Sequence, residues 1–243
     1  MKIAILDDYY DRARAYADWD SADFASVDFI DHYIAEESAL IKTLQPYDAV
    51  GLMRERTPFP KSIIDALPNL KLIVTSGKQN AAIDVNAAAE RNVVVCGTPS
   101  PGHATAELAF LLVMSLCRKL VPLVNGLQID QQWQPVMGND LRGKTLGILG
   151  LGRLGSQVAA LGQAIGMHVV AWSTNLDPES CAAKGVEYVS KDDLFERSDF
   201  VSIHLRLSGR SRDLVTLKEL TALGPNGYLV NTSRAEIVNH QDL

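Results

Sequence analysis

The sequence predicts an α/β protein with parallel sheets, and three observations lead to that prediction. Short apolar runs rich in Val, Ile and Leu recur along the 243 residues. Segments with apolar residues at helical spacing separate these runs. A glycine-rich turn, residues 150–155, joins one such run to one such segment. Because runs without polar alternation are typical of strands buried on both faces, we expect alternating strands and helices in each half of the chain.

Composition excludes several classes of function. Hydrophobic residues make up 47% of the chain and charged residues 21%, which is ordinary for a globular domain and unlike a disordered chain. A net charge of −6 argues against the clustered Lys and Arg that a nucleic-acid surface needs. The longest apolar run, residues 108–117, is short of the roughly 20 residues of a membrane span, and the N-terminus shows no signal-peptide pattern. We expect a cytoplasmic protein with no nucleic-acid or membrane partner.

The cysteines and histidines predict no metal site. Cys96, Cys117 and Cys181 are widely spaced and form no Cys-x-x-Cys pair. No two histidines stand four residues apart, the spacing typical of a zinc site on a helix. We therefore expect free thiols in a reducing compartment and no bound metal.

The first half alternates predicted strands and helices. Strands are predicted over residues 2–6, 27–33, 48–53, 70–74 and 93–96. Helices are predicted over residues 37–44 and 60–67. A cluster of turn residues, 97–102, is interpreted as the crossing between two domains, 1–98 and 99–243.

The second half begins with a helix and an irregular stretch before the alternation resumes. A strongly apolar helix, buried or at an interface, is predicted over residues 104–120, and residues 121–140 are predicted to be irregular. Strands are predicted over residues 145–149, 168–172, 187–189, 200–205 and 228–231. Helices are predicted over residues 156–165, 192–197 and 214–223. Val158, Leu161 and Ile165 are expected to share one face of the first of these.

The glycine-rich turn has the pattern Gly-x-Gly-x-x-Gly, and each glycine has a separate reason. Gly150 allows a tight turn, Gly152 lets the backbone approach a pyrophosphate, and Gly155 lets the helix pack close to the strand. The helix N-terminus offers unpaired N–H groups and a partial positive charge to phosphates. Because the motif stands between a strand and a helix that leads to a second strand, it predicts a dinucleotide site.

The residue that contacts the adenosine ribose leaves the choice of dinucleotide open. NAD sites usually place an acidic residue at the end of the next strand, and here Ser173 occupies that position. A hydroxyl can bind a ribose and does not repel a 2′-phosphate. Residues 173–176 contain no Arg that would attract one. NAD is preferred on this basis, and NADP is not excluded.

Several motifs together resemble the D-isomer-specific 2-hydroxyacid dehydrogenases, a family that includes phosphoglycerate dehydrogenase-type and glyoxylate reductase-type enzymes. The residues that carry the resemblance are 75–77, 105–107, 143–155, 204–205 and 229–234. The resemblance implies a flavodoxin-like substrate domain over residues 1–98. It also implies a Rossmann NAD(P)-binding domain over residues 99–243, incomplete at its C-terminus.

The family resemblance implies an oxidoreductase and a set of site residues. Hydride would pass between a nicotinamide cofactor and a D-2-hydroxy acid or 2-oxo acid in a cleft between the domains. Arg234 would be the catalytic arginine, since its planar guanidinium suits bidentate contact with a carboxylate. Ser76, Gly77 and Lys78 would take the substrate carboxylate. The cofactor would contact Thr105, Gly150, Gly152, Arg153, Leu154, Gly155, Ser173, Leu205, Thr232, Ser233 and Arg234.

The chain departs from the family pattern at positions that bear on substrate identity. Lys78 stands where the family often has glycine, and Arg206 stands where it usually has proline. Ala81 and Ala82 replace an Asp-Asn pair. Arg54 and Asn80 are interpreted as structural.

The family's catalytic Glu and His belong to a segment beyond Arg234, and this sequence ends at Leu243 without a Pro-His pair. We therefore expect a truncated form of a longer enzyme with low or absent activity. The alternative is an NAD(H)-sensing binding module like the corepressors that share this fold, and formate oxidation is a lower-ranked rival. A homodimer through the helix at residues 104–120 is also expected, because that helix is more apolar than one domain should expose.

Overall fold

The computed structural model describes residues 1–21, 26–99 and 102–243 of the chain. It divides into two units, Met1–Pro101 (unit 1) and Gly102–Leu243 (unit 2). Ser100 and Pro101, which belong to the predicted turn cluster, lie outside the described residues.

Unit 1 contains a five-stranded parallel sheet in the order β2-β1-β3-β4-β5. This is the flavodoxin-like order that the family resemblance implies. Its strands are β1 (Lys2–Ile5), β2 (Ser26–Phe29), β3 (Ala49–Leu52), β4 (Leu72–Thr75) and β5 (Val94–Gly97). Its helices are α1 (Ala13–Tyr16), α2 (Glu37–Leu44), α3 (Lys61–Ala66) and α4 (Val85–Glu90). Helices α1 and α4 were not predicted.

Unit 2 contains a second five-stranded parallel sheet, in the order β10-β9-β6-β7-β8. That order corresponds to the first five strands of the dinucleotide-binding fold. Its strands are β6 (Thr145–Leu149), β7 (His168–Trp172), β8 (Glu187–Tyr188), β9 (Phe200–Ile203) and β10 (Tyr228–Asn231). Its helices are α5 (His103–Cys117), α6 (Leu120–Gln128), α7 (Arg153–Ala164), α8 (Pro178–Ala182), α9 (Lys191–Arg197) and α10 (Leu217–Leu223).

The sheet of unit 2 is covered on both faces, which explains its continuous apolar strands. Ile148 and Val169 pack with α5 and α7 in one buried cluster. Val170 and Val201 pack with α9 in the cluster on the other face. Because each such side chain contributes roughly 1.5–3 kcal/mol when fully buried, this double layer holds the strand ends in fixed positions.

Residues 121–140 are not wholly irregular, so that prediction was wrong for the first part of the segment. Helix α6 occupies Leu120–Gln128. Pro122 lies in its first turn, where a missing N–H costs nothing because that N–H has no helical acceptor. The prediction of a loop rested on the Pro and Gly residues of this short segment, although its apolar positions recur at helical spacing.

The face of α7 that meets the sheet also differs from the prediction. The helix begins at Arg153, inside the glycine motif, rather than at Ser156. Leu161 is exposed, whereas Val158, Ala159 and Gly162 are buried. A Cβ on Gly162 would stand 2.7 Å from Leu146 Cδ2, so small residues bring α7 close to β6.

An ion pair between a buried carboxylate and a half-buried ammonium connects α10 to α9 in unit 2. Glu219 is 3% exposed, and its Oε1 lies 2.7 Å from Lys191 Nζ. The N–H and hydroxyl of Thr216 donate to Oε2 over 2.9 and 2.7 Å, which completes a capping box. Burial alone would raise the pKa of Glu219, but the hydrogen bonds from Lys191 and Thr216 outweigh it and hold the pKa at about 2.

Replacing the buried Glu219 by Gln is expected to destabilise unit 2 by about 3 kcal/mol at pH 7, because it breaks the ion pair with the half-buried Lys191. The folded pKa of about 2 lies below the ordinary value of 4.5, so this contribution is present above pH 4.5 and is lost as pH falls towards 2. Urea unfolding at pH 7 and at pH 3 measures both effects. Asp192→Asn, which breaks an exposed pair with Lys218, is the control and should cost under about 1 kcal/mol.

Candidate functional site

Four strands of unit 2 end at one edge of the sheet, and most of the predicted cofactor residues follow those strand ends. Leu149, the last residue of β6, is paired with Trp172 of β7 on one side and Ile203 of β9 on the other. Ile203 is in turn paired with Asn231 of β10. Because parallel strands share their direction, the segments that begin at Gly150, Ser173, His204 and Thr232 lie side by side.

The glycine turn has the geometry that each glycine was expected to provide. Gly150 has φ +106°, and a Cβ there would meet Leu205 Cδ2 at 2.8 Å and His204 O at 2.9 Å. A Cβ on Gly155 would collide with Gly150 O and stand 3.0 Å from Ile148 Cγ2. Gly152 differs from both, because its φ is −80° and a Cβ there would meet no atom within 4 Å. The fold itself therefore does not require glycine at 152, which leaves room for a close ligand as its reason.

The N-terminus of α7 presents free backbone donors to this space. No side chain caps the helix at Gly152, and the first backbone bond across the turn runs from Ser156 N–H to Gly152 O over 2.9 Å. Within the described residues, the N–H groups of Leu154 and Gly155 have no acceptor. Free amides at a helix N-terminus favour a phosphate group.

Arg153, Leu154 and Thr105 come together where α5 begins beside α7. Gly102 precedes α5 with φ +78°, and a Cβ there would lie 2.7 Å from Leu154 Cδ2 and 3.1 Å from Arg153 Nη2. Thr105 is half-buried in the first turn of α5. Both helices thus direct their N-terminal turns to one region of unit 2.

The end of β7 carries no acidic residue. Ser173 is half-buried, and Thr174 and Asn175 after it are exposed. The first carboxylate along the chain, Asp177, accepts from Ser180 N–H over 2.7 Å and from Ser180 Oγ over 2.8 Å as the cap of α8. Asp177 is therefore committed to its helix, and Ser173 alone occupies the position of the ribose contact.

The loop after β10 holds Arg234 through its backbone. Asn231 Nδ2 donates to Arg234 O over 2.9 Å, and Asn231 Oδ1 accepts from Ser233 N–H over 2.9 Å. Ser233 Oγ donates to Ile203 O over 2.9 Å, which ties the loop to β9. The half-buried Arg234 side chain donates to Ser233 O over 3.3 Å. Asn231 was not predicted as a site residue, although an Asn three residues before Arg234 is the signal of this turn.

Two buried polar atoms at the same edge lack a hydrogen-bond partner within the described part of the chain. They are His204 Nδ1 and Thr232 Oγ1. The other ring nitrogen of His204 lies 2.9 Å from Ser202 Oγ, and burial lowers the pKa of His204 to about 4. His204 is therefore neutral at pH 7. Because unsatisfied buried polar groups are costly, an atom from outside the described chain is the natural partner for both.

These features fit a dinucleotide. The glycine turn and the α7 amides suit a pyrophosphate, Ser173 suits a ribose, and the unpartnered Thr232 Oγ1 suits a polar group further along the edge. The glycine turn thus offers backbone atoms to a phosphate, and Thr232 offers a buried hydroxyl that has no hydrogen-bond partner in the described residues.

The predicted substrate loop of unit 1 follows β4. Ser76 N–H donates to Leu52 O over 3.0 Å, and Gly77 N–H donates to Thr98 Oγ1 over 2.9 Å. Lys78 is exposed, and its N–H and ammonium have no partner in the described residues. Of the three amides expected to hold a carboxylate, two already have acceptors inside unit 1, which leaves Lys78 as the available donor.

Arg54 and Asn80 brace this loop. Asn80 is 8% exposed, and its amide contacts Arg54 O, Thr75 Oγ1 at 3.0 Å and Ala82 N–H at 2.9 Å. Arg54 has φ +56°, and its N–H donates to Ser76 Oγ over 3.0 Å. These contacts give both residues the structural role that the sequence predicted.

A polar cavity of about 330 Å³ lies at the opposite edge of the unit 2 sheet. It is lined by Lys119, Lys144, Asp199 and Tyr228 among others. Lys144 is paired with Asp199 at 2.9 Å, and Lys119 donates to the Tyr228 hydroxyl. Its cations already have partners, and the cavity lies at the amino ends of the strands, away from the glycine turn.

The described ranges contain neither a candidate metal site nor a candidate membrane span. No group of three His, Cys, Asp or Glu side chains there could hold a metal ion. No described helix is both long enough and apolar enough to cross a membrane.

Comparison with protein families matches residues 110–243 to the model for the D-isomer specific 2-hydroxyacid dehydrogenase, NAD binding domain. The chain belongs to the D-isomer-specific 2-hydroxyacid dehydrogenase family. The matched residues include all of α7 and the strand ends that form the carboxyl edge. The resemblance identified from the sequence is therefore confirmed.

Relatives in this family include enzymes with two names. A glyoxylate reductase of Thermococcus litoralis is 34% identical over 210 residues, covering 82% of this chain and 63% of that protein. A D-3-phosphoglycerate dehydrogenase of Mycobacterium bovis is 31% identical over 211 residues, covering 86% of this chain and 40% of that protein. The chain thus spans between two fifths and two thirds of the length of these relatives.

Solved structures of family members share the fold across the whole chain. A phosphoglycerate oxidoreductase of Vibrio cholerae is 36% identical with a TM-score of 0.92, covering 99% of this chain and 78% of that one. A putative D-3-phosphoglycerate dehydrogenase of Ralstonia solanacearum has the same identity and TM-score, with 75% of its own length covered. The expected fold class, two parallel α/β sheets of the dehydrogenase type, is confirmed.

Proposed function

We propose that unit 2 binds a nicotinamide dinucleotide, and that the protein interconverts a D-2-hydroxy acid and a 2-oxo acid. The observation that carries the proposal is the difference among the three glycines. The fold requires glycine at 150 and 155, because a Cβ at either position would clash with neighbouring atoms. A Cβ at Gly152 would instead point into open space beside the free amides of α7. Family membership supports a nicotinamide cofactor rather than another phosphate ligand.

The names of the relatives support the substrate class. Glyoxylate is a 2-oxo acid and 3-phosphoglycerate is a 2-hydroxy acid, and both carry a carboxylate beside the reacting carbon. The planar guanidinium of Arg234 suits such a carboxylate and the adjacent carbonyl oxygen, since it donates two parallel hydrogen bonds. The Asn231 turn fixes the backbone of Arg234, so the side chain starts from a fixed point. We assign Arg234 as the residue that orients and polarises the acid.

Lys78, in the loop of unit 1 that follows β4, is assigned as a residue that attracts an anionic group of the acid. Its ammonium is exposed and without an ion pair in the described residues. A lysine there adds attraction for an anion that the glycine common in the family lacks. Ser76 and Gly77 shape the loop through the acceptors that their N–H groups already have.

The bound dinucleotide would supply or accept the hydride, and the chain's own groups would orient the acid and exclude water. A ketone also needs a proton. His204 is neutral at pH 7 because burial lowers its pKa to about 4, so it is not the acid that delivers that proton. Arg234 does not deliver it either, since a guanidinium keeps its protons.

The test combines binding with turnover. We expect NADH or NADPH fluorescence to change on titration with the protein. A panel of 2-oxo acids, including glyoxylate and phosphohydroxypyruvate, is then tested for oxidation of the coenzyme by the protein and by a version extended with the Glu- and His-bearing segment of a family member, in which we expect turnover. Binding without turnover of any acid, even in the extended version, would favour the NAD(H)-sensing module. Failure of both reduced coenzymes to bind would contradict the proposal and this alternative together.

We propose that two copies of the chain associate through α5 and α6. Both helices present a continuous set of exposed large apolar side chains, and such a surface marks an interaction site. The set comprises Leu108, Leu111, Leu112, Met114, Leu116, Leu120, Val121, Val124 and Leu127, and Ile129 directly after α6 continues it. A second copy that presents the same apolar patch is the fitting partner, because a two-fold dimer brings identical surfaces together.

Introducing charge into this patch is expected to give monomers. Sedimentation or light scattering should show a dimer for the wild-type chain and a monomer for the double variant Leu111→Asp, Leu127→Asp. Leu217→Asp is the control, because Leu217 is 60% exposed on α10, away from the patch. A wild-type monomer at micromolar concentration would contradict the interface.

We place the protein in the cytoplasm on its thiol chemistry. Cys96, Cys117 and Cys181 are all free, and Cys96 is exposed. Free exposed thiols fit a reducing compartment.

A further inference from the structure

The loop after β9 carries an arginine for which the fold gives no structural role. Arg206 is exposed, and its guanidinium has no ion pair or hydrogen bond in the described parts of the chain. Leu205 and Leu207 on either side pack against the apolar cluster of that sheet face. The alternation turns Arg206 away from this core.

The backbone of this loop is fixed, so Arg206 starts from a defined position. Ser211 is 6% exposed, and its hydroxyl donates to Arg206 O over 2.6 Å. Ser208 N–H donates to Ser211 Oγ over 2.8 Å, and Arg212 N–H donates to Ser208 O over 3.0 Å. Because the buried Ser211 hydroxyl bonds the backbone at both Arg206 and Ser208, it stabilises one conformation of the loop.

The strand order brings this loop to the ribose end of the dinucleotide site. Trp172 and Ile203 flank Leu149 on either side, so the ends of β7 and β9 are about 10 Å apart at the usual strand spacing. Ser173 follows the first of these ends and Arg206 lies three residues past the second. A long arginine side chain and a phosphate can span that gap.

The charges around Ser173 favour an anion there. In the described segment between β7 and α8, residues 173–177, the one carboxylate is that of Asp177, and it caps α8. Arg210 and Arg212 follow Arg206 on the same loop, both exposed and without ion pairs in the described residues. The acidic residues nearby, Asp213 and Glu236, stand at the far end of the loop, where Asp213 N–H donates to Glu236 O over 2.9 Å.

We infer that Arg206 binds the 2′-phosphate of NADP(H), so that unit 2 accepts NADPH at least as well as NADH. This inference rests on the proposed dinucleotide site. The absence of a carboxylate removes the group that would select the free ribose, and the guanidinium supplies a charged, bidentate partner for a phosphate. The preference for NAD drawn from the sequence rested on residues 173–176, whereas Arg206 comes from a strand end two positions away in the sheet.

The test measures coenzyme binding rather than turnover. Dissociation constants for NADH, NADPH, 5′-ADP and 2′,5′-ADP are measured by calorimetry for the wild-type protein and for Arg206→Gln. We expect the substitution to weaken NADPH and 2′,5′-ADP about tenfold or more, the usual loss for a charge-assisted hydrogen bond, and to leave NADH and 5′-ADP within twofold. NADPH affinity of the wild type should also fall faster with added salt than NADH affinity.

Arg210→Gln on the same loop is the matched control and should change the NADPH to NADH ratio less than threefold. An equal loss in both variants would overturn the assignment to Arg206. NADH binding with NADPH at least 100-fold weaker, unchanged in Arg206→Gln, would overturn the inference and leave the proposed function standing. If neither NADH nor NADPH binds the wild-type protein, the dinucleotide site itself is wrong.

Discussion

Gly155→Ala is expected to destabilise unit 2 and to abolish dinucleotide binding. The new Cβ would collide with Gly150 O and press on Ile148 Cγ2, which are backbone and core atoms that cannot rotate away. Overpacking of this kind costs roughly 1–3 kcal/mol, more than the helix propensity that alanine gains over glycine. Relief of the collision must move α7 or the turn, and either movement displaces the amides that would hold the pyrophosphate.

Gly152→Ala is the matched variant with the opposite pattern. Its φ of −80° is ordinary for alanine, and the new Cβ meets no atom within 4 Å, so stability should change by less than about 0.5 kcal/mol. The methyl group would occupy the space where a pyrophosphate approaches the backbone. We expect the dissociation constant for the reduced coenzyme to rise at least tenfold.

Urea unfolding and coenzyme titration on both variants separate the two effects. Loss of stability with Gly155→Ala and loss of binding alone with Gly152→Ala would assign one glycine to the fold and the other to the ligand. Wild-type coenzyme affinity in Gly152→Ala would remove the observation on which the proposed function depends. Unchanged stability in Gly155→Ala would show that α7 is not packed as closely as its contacts indicate.

The strands could be predicted from the sequence because burial on both faces makes them continuously apolar. Val201 and its neighbours in β9 are all buried, and such a run has few other interpretations. Helix α6 could not be predicted, because Pro122 and Gly126 are residue types that are typical of loops. The helix accommodates Pro122 because this residue lies in its first turn. The buried face of α7 was also misjudged, because small residues rather than Leu161 meet the sheet.

The cofactor residues could be predicted because chain direction alone places every strand end at one edge. Gly150 and Thr232 are far apart in sequence, but each follows a strand of the same sheet. Their assignment to one site therefore did not require the order of the strands. Long-range side-chain contacts were not predictable. The Gly77 amide is taken by Thr98 Oγ1, and only the structure shows that this amide is unavailable to a substrate. Arg206 could likewise be related to Ser173 only when the strand order β9-β6-β7 was known.

Arg234→Lys is expected to weaken binding of a substrate-like carboxylate while the loop keeps its shape. The Asn231 turn contacts the backbone oxygen of residue 234, so a change of side chain leaves it intact. Lysine retains the charge but replaces the planar pair of donors with a single ammonium. Losing one charge-assisted hydrogen bond corresponds to about 1.5–3 kcal/mol, or about 10–100-fold in affinity.

Oxamate, a stable mimic of a 2-oxo acid, tests this prediction in the presence of saturating reduced coenzyme. Its dissociation constant should rise about 10–100-fold in Arg234→Lys. Arg118→Lys is the control, because Arg118 pairs with Asp140 beyond the C-terminal end of α5. Oxamate affinity that is the same in all three proteins would mean that Arg234 does not hold the acid, and the guanidinium would then serve only the loop that carries it.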